Sequence, residues 1–381
     1  MQTITDYIKN YGDISFTEKG FTDADNVAMC YMFYMPLEQV VSSSFDDEPV
    51  RFSNAGSMLF AKRGFEHKAV GLILTKDISV KMMAMARCRR FAEMQVVACT
   101  EVYGKDPAVQ FGAGTFILPN GQIIVVFRGT DDTLTGWKEN FDILMKDTIP
   151  SHRLATEYLE NVAKHFDGDI IVCGHSKGGY VAQYGALFCS DETRKRIKLL
   201  YNNDGQGFAD YSYIKTDVYK EMLPKYRHFV PQSSFVGMLL AHDDDYTVVK
   251  STRVLGPLQH DLSTWQFDGD RLKTTDDLTH LGKINDLVLY DLVNNLTEEQ
   301  QKAFDTVLTS VVDEGKTEGL LGYKDNTAEV LRANADSIDK LDNEVLDNFK
   351  ASLKNVGKYI KRAGRLVRKG NFKTVKDRID E

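Results

Sequence analysis

The sequence predicts an α/β fold with a mostly parallel central sheet flanked by helices. Short, β-branched apolar runs alternate with amphipathic, helix-like segments through the middle of the 381-residue chain. An Asn-Gly turn at 120–121 lies between two apolar runs and predicts a β-hairpin, which adds antiparallel strands. Another apolar run, residues 170–173, leads into Gly-His-Ser-Lys-Gly at 174–178 and then into a helix-like segment. A strand, a serine and a helix in this order predict a serine on a tight turn after a core strand.

The composition is that of an ordinary globular protein, with 43% hydrophobic and 27% charged residues. The net charge is −8, but residues 350–381 contain eleven Lys or Arg and three acidic residues, so the rest of the chain carries −16. An acidic body argues against a nucleic-acid partner. The basic end could contact an anionic membrane or partner. We favour a solvated tail, because runs of charge are usually solvated.

The cysteines and the N-terminus bear on the compartment. The five cysteines show no paired spacing and are expected to be free thiols in a reducing compartment. The first residues have no basic region followed by an apolar run, so no secretory signal is expected. No stretch reaches the roughly 18 apolar residues of a membrane span. Together these observations predict a cytoplasmic protein.

The chain divides into three predicted parts. Residues 1–80 read as a helical and mixed segment that packs on the core, with an apolar helix at 27–34. Residues 81–284 form the predicted core, and residues 285–381 a helical extension that ends in the basic tail. The predicted elements of the core are a helix from Lys81, a strand at 94–99, the hairpin at 109–127, helices at 151–166 and 180–188, and strands at 170–173, 196–202, 226–230 and 246–249.

Ser176 is the candidate nucleophile. In a nucleophile elbow the serine occupies a strained turn, so its neighbours must be nearly free of side chain. Gly174 and Gly178 give that room. The alternative is a tight turn with only a structural role.

A serine nucleophile needs a base that takes its proton. In α/β hydrolases the order along the chain is serine, acid, histidine, so the base is expected after the last core strand. His260 meets this requirement, and His242 is the alternative. His228 lies within a strand pattern, where a buried structural histidine is expected.

The acid that orients the base has two candidate positions. Asp204 follows the strand after the elbow helix and is the favoured acid. The alternatives, Asp243 and Asp245, belong to three adjacent acids between the two later strands, a pattern more typical of a solvated loop.

The oxyanion of an acyl-transfer intermediate needs two backbone donors. One is expected from Lys177, the residue after the nucleophile, and the other from Thr130 in the turn after the hairpin. Thr130 offers both its N–H and its hydroxyl. The alternative for this turn is an ordinary strand end with Arg128 in a structural ion pair.

Val-Phe-Arg-Gly-Thr at 126–130, Trp137 and the G-x-S-x-G at 174–178 resemble the class 3, or fungal-type, lipases. The wider set, with segments at 204–208, 230–239 and 259–261, is still more similar to a bacterial lipase-like family known as Mbeg-like, whose function is unknown. The resemblance extends over about residues 20–270 and implies an α/β-hydrolase fold, with Ser176 as nucleophile and His260 as base.

One position departs from the class 3 pattern. Those lipases have their acid in an Asn-Asp-x-Val-type segment, and the matching residue here is Ser234. Pancreatic-type lipases have the acid in a segment similar to residues 204–208, which supports Asp204.

The sequence therefore predicts a serine hydrolase, lipase- or esterase-like, that acts on a small-molecule acyl ester or lipid. The alternative is a protein that kept the fold for binding or scaffolding and lost turnover, and Ser234 is its main support. No H-E-x-x-H, C-x-x-C or phosphate-loop motif occurs, so no metal and no cofactor are expected.

Overall fold

The fold is given by a computed structural model, which describes residues 1–63, 77–131, 134–146, 148–241, 245–254, 256–314 and 341–373. Eight strands form one sheet whose spatial order follows the chain. They are β1 (Val50–Arg51), β2 (Gln95–Lys105), β3 (Ala108–Ile117), β4 (Ile123–Phe127), β5 (Ile170–His175), β6 (Ile197–Asn203), β7 (Tyr226–Pro231) and β8 (Thr247–Val249). A separate two-stranded ribbon pairs β9 (Phe267–Asp268) with β10 (Arg271–Leu272).

The sheet is mixed. Strands β1 to β4 pair antiparallel, and β4 to β8 pair parallel. The hairpin joins β3 to β4 with Ile117 opposite Ile123, as the Asn-Gly turn predicts. Because β5, β6 and β7 are parallel neighbours, their carboxyl ends lie at one edge of the sheet, where ligands bind in open α/β sheets.

The described helices are α1 (Ile4–Tyr11), α2 (Asp23–Met32), α3 (Phe52–Arg63), α4 (Ile78–Arg87), α5 (Arg89–Ala92), α6 (Leu134–Met145), α7 (Pro150–His165), α8 (Lys177–Phe188), α9 (Asp191–Arg196), α10 (Asp217–Met222), α11 (Gly256–Gln259), α12 (His280–Asn294), α13 (Glu298–Glu314) and α14 (Asn343–Arg368). Four short 3₁₀ turns accompany them, at Leu37–Gln39, Tyr213–Lys215, Leu223–Lys225 and Leu262–Thr264.

Alternation along β5 divides the core into two layers. Ile171 and Cys173 belong to a cluster that includes α1, α2 and α4, whereas Ile170 and Val172 belong to one that includes α7 and α8. Both faces of the strand are therefore buried, which explains its continuous apolar sequence.

The first helices are part of this core. The side chains of α2 after Asp23 are fully or almost fully buried, and a buried ion pair joins Asp25 of α2 to Arg90 of α5 at 2.6 Å. Tyr7 of α1 donates a hydrogen bond to the same carboxylate at 2.7 Å. The residues before the sheet thus complete one layer of the fold.

The fold class predicted from the sequence, α/β with a mostly parallel sheet flanked by helices, is confirmed. The element bounds differ in places. The strand predicted at 94–99 continues to Lys105, and the helix predicted at 27–34 begins at Asp23, capped by the Thr22 hydroxyl. The predicted divisions after residues 80 and 284 fall inside α4 and α12. The five cysteines are free.

Candidate active site

Ser176 connects β5 directly to α8. Its backbone has φ 58° and ψ −133°, which is a strained conformation for any residue but glycine. The Ser176 N–H donates to the Asn203 carbonyl of β6 at 3.0 Å, and its own carbonyl accepts from the Gly179 N–H at 2.9 Å. These two hydrogen bonds, one to β6 and one from α8, fix the turn. The Ser176 side chain lies at the carboxyl edge of the sheet and is 8% exposed.

The two glycines of the motif are required by close backbone contacts. A Cβ on Gly174 would overlap the Gly178 carbonyl, and a Cβ on Gly178 would overlap the Phe127 carbonyl at the end of β4. The end of β4 therefore lies directly against the turn. The sequence interpretation of Gly174 and Gly178 as space-giving residues agrees with these contacts.

His260 and Asp204 lie together at the same edge. His260 Nδ1 is 2.7 Å from Asp204 Oδ2. Asp204 is fully buried and His260 is 9% exposed. Asp204 follows β6 with φ 52°, again a rare backbone conformation, which turns its carboxylate toward the histidine.

The second oxygen of Asp204 is also bonded. Asp204 Oδ1 accepts from the Ser234 hydroxyl at 2.6 Å and from the Gly237 N–H at 3.0 Å. Ser234 is fully buried in the loop after β7. The residue at the class 3 acid position therefore contacts the carboxylate that comes from the neighbouring strand.

His175, the residue before the serine, contacts the backbone carbonyl of His260 through its ring. Its Nε2 is 2.9 Å from the His260 carbonyl, and its Nδ1 is 2.8 Å from the Tyr34 hydroxyl. A carbonyl only accepts, so Nε2 carries the proton and Nδ1 accepts from Tyr34. Burial, and secondarily the charge of His260, lower the pKa of His175 well below its ordinary value, which keeps the ring neutral in this role.

Of the two predicted oxyanion donors, Lys177 directly follows the serine, and Thr130 follows Gly129, which packs on the same turn. Lys177 is the first residue of α8, where backbone N–H groups have no partner inside the helix. Gly129 packs so closely on the turn that a Cβ there would lie 3.1 Å from Ser176 Cβ. The Thr130 hydroxyl donates to Asn140 Oδ1 at 3.0 Å, which leaves the backbone N–H as the donor Thr130 can offer.

The side chain of Lys177 has a different environment from its backbone. The side chain is 1% exposed, and its ammonium group lies 2.7 Å from the buried Glu139 carboxylate of α6. It also donates to Gln110 Oε1 of β3 at 2.8 Å. Gln110 Nε2 in turn lies 3.5 Å from the Gly129 carbonyl. One buried cation thus links the elbow with the segment on which Gly129 and Thr130 lie.

Glu139 has further buried partners. It accepts from the Ser151 hydroxyl at 2.6 Å and from the Gln110 N–H at 2.9 Å. This network was not predicted from the sequence, because its members are far apart in the chain. A lysine directly after the nucleophile was the one available cue.

His242 and Asp243 fall outside the described residues, and Asp245 is exposed. His228 is buried in β7, as its strand pattern predicts. Arg128 is buried and pairs with Glu38 at 3.4 Å and with Glu101, which agrees with the structural interpretation of that residue.

Two features are absent from the described part of the chain. It contains no group of three or more His, Cys, Asp or Glu that could hold a metal ion. Among the same residues, no helix combines the length and the apolar character needed to cross a membrane.

The profile of the Mbeg1-like family matches residues 85–309, which include Ser176, Asp204 and His260. Comparison with curated proteins finds no match. Among solved structures, a deletion mutant described as a Rhizomucor miehei lipase propeptide complex aligns over 60% of this chain and 68% of its own, with 14% identity and a TM-score of 0.30. That similarity is too distant to bear on function.

Proposed function

The chain belongs to the Mbeg1-like family, and we propose that it is a serine hydrolase that cleaves carboxylic esters of small molecules or lipids. The observation that carries this proposal is the strained Ser176 turn beside a buried Asp204–His260 pair 2.7 Å apart. A strained, strand-to-helix serine with a carboxylate-bound histidine nearby is the arrangement that activates a serine for acyl transfer.

In the proposed first step, Ser176 Oγ attacks the ester carbonyl carbon while His260 Nε2 accepts the hydroxyl proton. The negative charge that develops on the carbonyl oxygen is stabilised by the N–H groups of Lys177 and Thr130. Asp204 accepts from His260 Nδ1–H, fixing the tautomer with a free Nε2 and stabilising the imidazolium.

Collapse of the intermediate breaks the bond to the leaving alcohol, which takes the proton from His260 and leaves Ser176 acylated. A water molecule then gives its proton to His260 and attacks the acyl carbon. Collapse of this second intermediate breaks the bond between the acyl carbon and Ser176 Oγ, which takes the proton from His260 as the carboxylic acid leaves. Each proton is returned, and no group beyond water is consumed.

The alternative, a fold retained for binding without turnover, rested on the serine at the class 3 acid position. Ser234 donates to Asp204, and Asp204 contacts His260, so a serine at this position is compatible with a complete triad. This contact favours the hydrolase over the binding protein.

A fluorophosphonate probe tests the proposal, since it reacts with a serine only when a base activates it. We expect labelling of the folded protein, loss of labelling in Ser176→Ala and unchanged labelling in Ser212→Ala, which removes an exposed serine. A series of p-nitrophenyl esters of graded chain length would then define the acyl preference. Absence of labelling at Ser176 in the folded protein would sink the hydrolase proposal in favour of the binding protein.

A further inference from the structure

Helix α14 carries charge of one sign along most of its length. Between residues 350 and 369 the chain has eight Lys or Arg and no acidic residue. All eight are exposed: Lys350, Lys354, Lys358, Lys361, Arg362, Arg365, Arg368 and Lys369. We call this set the basic face of α14.

Another side of α14 is packed against the protein. Ser352 and Ala363 are fully buried, and the helix lies against α12 and α13. Arg362 pairs with Asp291 of α12 at 2.9 Å. Within the described residues, no ion pair joins the other seven cations to an acidic side chain. Residues 350–368, favoured from the sequence as a solvated tail, are therefore part of a helix that packs on the protein and leaves its basic face exposed.

Two large aliphatic side chains are exposed beside the basic face. Leu353 is 51% exposed and Ile360 is 50% exposed. Seven residues apart, they lie on one line along the helix. Each residue advances about 100° around the helix axis. The cations nearest to the Leu353–Ile360 line, Lys350 and Arg368, are therefore about 60° from it around the axis, and the farthest is about 180° from it. Exposed apolar and cationic groups therefore share one side of α14.

We propose that this side of α14 docks on an anionic phospholipid surface. Leu353 and Ile360 would enter the boundary between headgroups and acyl chains, while the adjacent lysines and arginines contact phosphate groups. The acidic remainder of the chain would be repelled from such a surface, so the protein would approach it with α14 foremost.

A nucleic acid would fit this surface less well. It would pair with the cations but leave Leu353 and Ile360 in water. Single-stranded nucleic acids also bind on aromatic platforms, and the aromatic residues of α14, Phe349 and Tyr359, are half-buried. A lipid surface satisfies both the charge and the apolar pair.

The docking side is one helix away from the candidate active site. Helix α12, on which α14 packs, is capped by Thr279, whose hydroxyl is 2.6 Å from that of Ser233. Asn285 of α12 donates to the Ser234 carbonyl at 3.4 Å. If the hydrolase proposal also holds, docking would bring the site to a surface that contains esters. The docking itself does not depend on that proposal.

Sedimentation of the full chain with lipid vesicles tests the inference. We expect binding to phosphatidylcholine vesicles that contain phosphatidylglycerol, weaker binding at high salt, and little binding to phosphatidylcholine alone. The variant Lys350→Gln/Lys354→Gln/Lys361→Gln/Arg365→Gln should bind at least about tenfold more weakly, because each cation near an anionic surface raises the partition coefficient about fivefold. Leu353→Ser/Ile360→Ser should also weaken binding without a change in charge.

A matched control removes four exposed lysines from other elements: Lys105→Gln/Lys195→Gln/Lys215→Gln/Lys220→Gln. It should bind like the unmodified chain, and thermal unfolding should be alike for all variants. Equal binding to neutral and anionic vesicles, equal loss in both charge variants, or binding to duplex DNA without binding to vesicles would overturn the inference. Ser176→Ala should bind vesicles normally, so failure of docking and failure of hydrolysis are distinguishable.

Discussion

The residues around Ser176 hold its backbone in the strained conformation. The turn is tied on one side to the Asn203 carbonyl at 3.0 Å, and the contacts of Gly174 and Gly178 leave no space for side chains. A strained residue persists only where the surrounding structure overdetermines it, and such residues concentrate at functional sites. The strain at Ser176 is therefore itself an argument for a functional serine.

Asp204→Asn tests the proposed acid. An amide at Asp204 would favour the wrong tautomer of His260, with the proton on Nε2, so kcat for the best p-nitrophenyl ester should fall about 10³–10⁴-fold while KM changes little. Asp243→Asn and Asp245→Asn are the controls and should retain activity. If Asp204→Asn were as active as the unmodified chain, the acid would have to be another residue.

Ser234 is expected to act through Asp204 and not on the substrate. Ser234→Ala removes one of the two hydrogen bonds to Asp204 Oδ1, so kcat should fall on the order of tenfold with KM unchanged. Ser234→Thr keeps the hydroxyl and should recover most of kcat. The matched control is Ser233→Ala, because the Ser233 hydroxyl contacts Thr279 instead of the acid. A rise in KM without a fall in kcat would argue against a positioning role.

At this scale the sequence predicted Ser176, His260 and Asp204 as a group, and the structure brings Asp204 and His260 within hydrogen-bond distance. The role of Ser234 could not be predicted from the sequence. A hydroxyl that donates to a carboxylate 30 residues away leaves no local pattern, and only the pairing of β6 with β7 brings the two loops together.

At the scale of elements, Lys177 and Glu139 join α8 to α6. Their charges are 1% and 0% exposed, and the Gln110 side chain extends the contact to the Gly129 carbonyl. Buried ion pairs of this kind contribute little net stability compared with apolar residues, but they fix geometry. Here the geometry is that of the segments that carry the proposed oxyanion donors.

Lys177→Met should destabilise the fold by about 3–5 kcal/mol, because it leaves the Glu139 carboxylate buried without its cation. Urea denaturation would measure the loss. The double variant Lys177→Met/Glu139→Gln should regain most of it, since no uncompensated charge remains.

The control for the lysine variant is Arg153→Met. Arg153 pairs with Glu157, and their side chains are 69% and 53% exposed. It should change the free energy of unfolding by less than about 1 kcal/mol. A Lys177→Met variant as stable as this control would show that the buried pair does not need its cation.

Element prediction succeeded where the apolar pattern was local. The run at 170–173 became β5, and the Asn-Gly turn became the β3–β4 hairpin. The sequence predicts residues 285–381 only as a helical extension that ends in a basic tail, without bounds for α14, which is a 26-residue helix. Its packed face contains Ser352 and Ala363, which are small and carry little hydrophobic signal, so its contact with α12 and α13 could not be read from the pattern.

At the scale of the whole molecule, stability should depend on pH through buried histidines. His152 is 2% exposed; its Nδ1 accepts from the Ile149 N–H at 3.3 Å, so Nε2 carries the proton and lies 2.7 Å from the Tyr180 hydroxyl. Burial lowers its pKa to about 3. Protonation would place a charge in this site and displace the Ile149 bond.

A histidine whose pKa is lowered by folding binds protons more strongly in the unfolded state. Its contribution to stability is therefore complete above the unfolded pKa of about 6.5 and decreases as the pH falls below that value. Between pH 7 and pH 5, His152 should account for a loss of about 2 kcal/mol in the free energy of unfolding. Asp261, whose pKa is raised to about 6 by burial, acts in the opposite direction, so total stability alone would not isolate His152.

The comparison that isolates His152 is the difference in slope between the unmodified chain and His152→Gln. Urea denaturation at several pH values from 7 to 5 measures the free energy of unfolding of both proteins. Over that range it should fall by about 2 kcal/mol less in His152→Gln than in the unmodified chain, whatever the stability of the variant at pH 7. His280→Gln, which changes an exposed histidine at the start of α12, should leave the slope unaltered. If the free energy of unfolding had the same pH dependence in His152→Gln and in the unmodified chain, the His152 ring would be protonated in the folded protein at little cost. That result would contradict the role given to its burial and its two hydrogen bonds.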